Sequence, residues 1–142
     1  KESIKTVSNS EAITTVSKEI KVYSEQDHLE NIKDDFLNIY TEIKEFLLSF
    51  GEVITIYPKK KTIGFKIGGK VFCDIVMQNK GIRLFLNAKK GTLKDPEGIT
   101  RDVSEVGHWG NGAYEVRFPL KNDAEIDFVF NLLRQTINKN KE

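Results

Sequence analysis

A chain of 142 residues, 39% apolar and 30% charged, is long enough to fold as one domain without staples, because a domain near this size buries roughly two-thirds of its unfolded surface. Its single cysteine, Cys73, excludes an internal disulfide and reads as a reduced thiol inside a strand, in keeping with a cytoplasmic setting; no run approaches the ~18 apolar residues of a membrane span, and the opening KESIKTVSNS holds no hydrophobic signal region. The net charge of +1 hides a division: residues 25–52 carry eight acids and two lysines, net −6, whereas residues 58–90 carry nine basic residues and one acid, Asp74, net +8, and charge gathered on one segment shapes the local field more than the total does.

Residues 1–22 are rich in Ser, Thr, Lys and Glu and read as a linker or tail, with a short strand possible at TTVSKEIKVY. The lysine start fits a chain that is the C-terminal part of a longer protein. From residue 23 to 142 the pattern is that of a single α+β domain. SEQDHLENIKDDFLNIYTEIKEFLLSFG predicts one long helix, with Asp27 as its cap and Glu30 completing a capping box. Leu29, Ile32, Phe36, Ile39, Tyr40, Ile43, Phe46, Leu47 and Phe50 make its apolar face, and Gly51 stops it.

Four strands follow as an antiparallel meander: VITIYP, TIGFKI, KVFCDIVMQ and IRLFLNA. Gly68-Gly69 predicts a two-residue hairpin. Ile63, Phe65, Ile67, Ile82, Leu84 and Leu86 point one way, toward the core. Phe72, Val76 and Phe85 lie in the opposite phase, which predicts a second sheet face that is partly apolar. KDPEGITRDVSEV predicts a short helix capped by Asp95 with Pro96 at its first position. YEVRFPL predicts a fifth strand, with Pro119 marking an edge or a strand end. NDAEIDFVFNLLRQTINKNK predicts the last helix, with an Asn122–Glu125 capping box and a stripe of Ile126, Val129, Phe130, Leu133 and Ile137. The expected fold is a two-layer sandwich: an antiparallel sheet of about five strands, with two long helices on one face.

Several motifs fail on chemistry. GFKIGGKV, residues 64–71, matches seven positions of a phosphate-binding loop, but Val71 stands where a hydroxyl should hold magnesium and strands flank it on both sides. His28, His108 and Cys73 have no zinc spacing. Asp95, Glu97, Asp102 and Glu105 suggest a magnesium site, but Glu97 and Glu105 each lie four residues from Arg101 and are accounted for by surface ion pairs. Ser104, His108 and Asp102 do not make a triad by adjacency alone. Glu19-Ile20-Lys21 has the acid-x-Lys spacing of a restriction-type nuclease but no partner acid. The sequence therefore implies no cofactor, no metal and no catalytic residue.

Two features remain. The basic block offers Lys59, Lys60, Lys61, Lys66, Lys70 and Arg83 to a phosphate backbone, with Tyr57 or Phe85 to stack bases; its plainer reading is a solubilising face that discourages sheet-to-sheet pairing. GHWGNG, residues 107–112, is either a turn or a pocket. As a turn, Gly107, Gly110 and Gly112 take positive φ, Trp109 covers the core, and His108 and Asn111 satisfy buried backbone groups. As a pocket, His108, Trp109 and Asn111 line a small-ligand site. A third function class is a protein-interaction or homodimer surface over Phe72, Val76 and Phe85 or on the acidic helix.

YSEQDHL (23–29), YPKKKTIGFK (57–66), DPEGITRDVSEVGHWGNGAYEV (95–116) and DFVFNLLRQTI (127–137) together resemble a prokaryotic domain family whose members often carry the label "predicted transport protein". The RDVS..GHWGNG run is the specific part. In longer members that domain looks C-terminal to a domain of the restriction-endonuclease type. The resemblance implies an accessory domain in a nucleic-acid context, and it carries over no catalytic residues.

Overall fold

The computed structural model describes residues 22–108 and 110–141. Residues 1–21 of the expected linker, with the Glu19-Ile20-Lys21 step and most of the expected short strand, lie outside the described residues, as does Trp109. The protein is α+β. Two helices, α1 (Glu25–Leu29) and α2 (Asp34–Leu48), precede strands β1 (Ile54–Pro58), β2 (Ile63–Ile67), β3 (Lys70–Gln78), β4 (Gly81–Leu86), β5 (Thr100–Asp102) and β6 (Tyr114–Phe118). A single turn of 3₁₀ helix, Lys121–Asp123, then leads into α3 (Ile126–Asn140). The six strands form one antiparallel sheet in the order β1-β2-β3-β4-β6-β5.

The first helix is broken where the sequence predicts continuity. Asn31 takes φ +63°, a left-handed conformation open to Asn more readily than to most residues, and the chain restarts as α2 three residues later. The cap also moves. Ser24, not Asp27, is the N-cap: its side chain accepts from the Asp27 amide while the Asp27 carboxylate accepts from the Ser24 amide, a reciprocal capping box shifted by one turn. Glu25 joins the two helices, accepting from the Tyr40 hydroxyl and pairing with Lys44 at 2.9 Å.

The predicted helix at KDPEGITRDVSEV does not form. Asp95 does cap, but it caps a turn: its carboxylate accepts from the Ile99 and Thr100 amides and from the Thr100 hydroxyl. The local bonds that Asp makes with nearby amides compete with helix. Thr100–Asp102 then adds to the sheet beside β6, giving a sixth strand. That addition makes β6 an interior strand, so Pro119 marks its end and not an edge. The start of α3 also moves: it begins at Ile126 with Glu125, not Asn122, as N-cap and no side-chain cap bond there.

The core lies between the helices and one sheet face. Tyr40, Ile43 and Leu47 of α2 and Val129, Leu132, Leu133 and Ile137 of α3 join Ile63, Phe65, Cys73, Ile75, Leu84, Leu86 and Val116 in one buried cluster. Phe72 belongs to this cluster too, against the expected phase. The register shifts between Phe65 and Lys66: Phe65 opposes Cys73, yet Lys66 opposes Val71. Such a bulge places two residues against one, and it removes Phe72 from the second face. Val76 and Phe85 remain there and are buried with Val103. The Gly68-Gly69 hairpin forms as predicted, with both residues at positive φ, the signature of a type I′ turn.

Candidate anion-binding face of the sheet

Strand alternation sets the chemistry of the second face. The ladder pairs Tyr57 with Gly64, Gly64 with Asp74, Asp74 with Phe85, Phe85 with Glu115 and Glu115 with Arg101. This single lateral row crosses all six strands, roughly 24 Å at about 4.8 Å per strand. Two carboxylates in it, Asp74 and Glu115, have no exposed surface. A buried charge persists only when paired and hydrogen-bonded, so each carboxylate organises the basic side chains around it.

Asp74 accepts from the Thr62 hydroxyl at 2.8 Å and from the Asn111 amide at 3.3 Å, and pairs with the Lys59 ammonium at 2.7 Å. Gly64 leaves room for this pair. A Cβ there would lie 3.3 Å from Asp74 Oδ1 and 3.2 Å from the Tyr57 carbonyl, which explains one glycine of the false phosphate-loop motif. The backbone carbonyl of Lys59 meets His28 Nε2 at 2.6 Å. The Lys66 ammonium sits 3.8 Å from the centroid of the Tyr57 ring, with that of Lys59 at 6.0 Å. Tyr57 is 44% exposed, and an open cleft beside it is lined by Val22, Tyr23, Pro58, Lys59 and Lys60.

Glu115 holds three arginines. Arg83 donates Nε at 2.7 Å and adds a second contact through Nη2; Arg117 donates Nε at 2.8 Å; Arg101 approaches at 3.5 Å. Burial pushes the Glu115 carboxyl up, but the hydrogen bonds and charges of Arg83 and Arg117 outweigh it and hold it below the ordinary range. The Arg83 guanidinium lies 5.2 Å from the Phe85 ring centroid.

The expected site residues thus divide. Lys59 and Lys66 come together around Tyr57, and Lys60 lines the cleft beside them. Lys61 is exposed in the turn between β1 and β2, and Lys70 is exposed where the β2–β3 hairpin closes. Arg83 stands apart with Arg101 and Arg117, neither of which is among the expected site residues. Their signal was there: Arg117 follows Glu115 by two in an alternating strand, on the same face. Arg101 was instead assigned to Glu97 and Glu105, a pairing that required the helix that does not form.

GHWGNG closes over this face. Gly112 takes φ +91°, and a Cβ there would collide with the Leu86 carbonyl. Gly110 has ordinary φ, but a Cβ would lie 2.5 Å from that of Phe85. Gly107 needs neither freedom, so only one of the three glycines takes the expected positive φ. His108 stacks on Phe85 with centroids 5.1 Å apart, and its ring nitrogens meet the Val106 carbonyl at 2.7 Å and the Gly112 carbonyl at 3.1 Å. Asn111 serves the Asp74 carboxylate and not a backbone group. Phe85 is wholly buried and is unavailable for stacking bases. Asp102 accepts from the Ser104 amide and hydroxyl, while His108 turns to carbonyls, so no triad assembles.

A family model described as "Domain of unknown function (DUF5655)" matches residues 25–127, which takes in α1, all six strands and the covering loop. The chain belongs to this family. An uncharacterized protein of Haemophilus influenzae is 35% identical over 135 residues, covering 94% of this chain and 44% of that protein. The chain therefore spans less than half the length of that relative. No solved structure matches. Among the described residues, no helix is long and apolar enough to cross a membrane.

Proposed function

We propose that this DUF5655 domain is an accessory nucleic-acid-binding module that grips a phosphate backbone along the outer face of its sheet, beside a nuclease-like domain in longer relatives. The observation that carries this reading is the exposed Tyr57 ring with the Lys66 ammonium on its face and Lys59 and Lys60 at its border. The contact with Lys66 orders a long side chain in advance, which lowers the entropy lost on binding. Lysines supply charge without planar recognition of bases, so binding is weakly dependent on sequence. Phosphate contact, not stacking, is the main term, because Lys66 occupies one face of Tyr57 and Phe85 is buried.

Fluorescence anisotropy with a labelled oligonucleotide over a salt series tests the reading. Each phosphate contact on a single strand contributes about −0.7 to the slope of log K against log salt. Replacing Lys60, Lys66 and Lys70 together with Gln should flatten the slope by about 2. Binding whose strength ignores salt would remove the mechanism.

The homodimer reading loses one of its two expected surfaces, because Phe72, Val76 and Phe85 are all buried within the chain; the acidic helix remains as the other. The small-ligand reading beneath GHWGNG has less support, because Gly110 and His108 pack against the buried Phe85.

A further inference from the structure

We propose that Arg83 and Arg117, with Lys80 beside them and Arg101 behind, form a binding site for a phosphate group, separate from the lysine cleft and independent of it. Arg83 and Arg117 are directly opposite each other on β4 and β6. Like charges in that position repel, and the pair is tolerated because Glu115 lies between them in charge if not in register. One carboxylate against three guanidiniums leaves the cluster at +2. Lys80 raises that to +3, and Lys80, Arg83 and Arg117 line a shallow depression of about 250 Å³ together with Gln78, Gly81, Ile82 and Phe118, none of them acidic.

The donor geometry selects the ligand. Arg117 spends Nε on Glu115, and both of its Nη groups have no partner among the described residues; its side chain is 56% exposed, while that of Arg83 is 23% exposed. Guanidinium forks match the paired oxygens of an oxyanion. A carboxylate presents its two oxygens in one plane, whereas the tetrahedral oxygens of a phosphate reach donors on both strands at once; a phosphate monoester also cancels two charges, where a diester or a carboxylate cancels one. The floor of the depression is fixed, because Gly81 sits so close to the Phe118 carbonyl that a Cβ would overlap it. The carboxylate beneath acts as a positioning group: it holds Arg83 and Arg117 side by side before any ligand arrives, which reduces the ordering cost.

The test follows backbone and arginine Nε–H resonances of the 142-residue chain as inorganic phosphate is added, against chloride at matched ionic strength. Saturable shifts confined to residues 78–83 and 115–118, weakened about tenfold or more in Arg117→Gln, are expected for the loss of a charge-assisted pair. Lys80→Gln, which lies outside the Glu115 network and leaves its packing intact, should weaken binding as well. Two further arms separate the source of the phosphate. If an unphosphorylated oligonucleotide competes with phosphate, and Arg117→Gln weakens both, the occupant is a backbone phosphodiester. If phosphate binds and the oligonucleotide does not, the occupant is a free phosphoryl group; the site then stands and the nucleic-acid function falls. Shifts that never saturate, or that persist unchanged in both variants, overturn the site. An oligonucleotide that binds both variants as tightly as the parent leaves the lysine cleft as the only grip.

Discussion

At the scale of single residues, close approach decides more than conformational freedom does. Gly110 has no unusual backbone angle, yet a methyl group there would enter the Phe85 side chain. Gly110→Ala should therefore cost about 1–3 kcal/mol, the range for overpacking, whereas Gly107→Ala, with open space around it, should be near neutral. Urea unfolding of the two variants separates these outcomes, and equal losses would show that the loop does not seat on Phe85. No sequence pattern distinguishes the two glycines, because the difference lies in a contact 25 residues away along the chain. The buried carboxylates were equally hard to read. Asp74 looks like the one acid in a basic block, and only the ladder shows that Lys59 answers it. His28, which has no zinc spacing, instead ties α1 to the turn that presents the lysines through its contact with the Lys59 carbonyl.

Among the elements, those written in period and turn chemistry were legible and those that depend on neighbours were not. The Gly68-Gly69 hairpin, the four-strand meander, the apolar faces of α2 and α3 and the α+β class all follow from alternation, 3.6-residue spacing and turn residues. The kink at Asn31 was missed because an uninterrupted apolar stripe masks one left-handed residue. Asn31→Gly should preserve stability, since glycine adopts positive φ freely, and Asn31→Val should lose about 1–2 kcal/mol, since a β-branched residue does not. Thermal unfolding of both checks this; equal midpoints would mean that the helix can run through. β5 was missed because its three residues gain their partner from β6, far along the chain, and Asp95 offered a credible cap. The bulge in β3 was missed for the same kind of reason: alternation put Phe72 outside, and the partner strand put it inside.

On the scale of the whole domain, acid is the expected weakness. Glu25, Asp95, Asp102 and Glu115 all have carboxyls held below their ordinary range. For Glu25, Asp95 and Glu115 burial opposes the shift and hydrogen bonds outweigh it; for Asp102 the Ser104 hydroxyl and amide lead, with Lys90, and bring it down to about 2. A carboxyl whose folded value is depressed adds stability above its unfolded pKa, near 4, and loses it as pH falls through the folded value. Urea midpoints should accordingly hold steady above about pH 5 and fall between about pH 4 and 2; a midpoint that rises on acidification would contradict the buried Glu115 cluster. The site was half legible at this scale: net charge by segment found the lysines, but only the sheet sorted the cations into two groups above two buried carboxylates. Cys73 has a further use. It lies in a strand paired on both sides, is wholly buried, and burial raises its thiol well above the usual range. A thiol reagent can reach it only when the central ladder comes apart, so its alkylation rate in native buffer is an internal clock for opening of the whole domain, and ligands that hold the folded form should slow that clock in proportion to how tightly they bind.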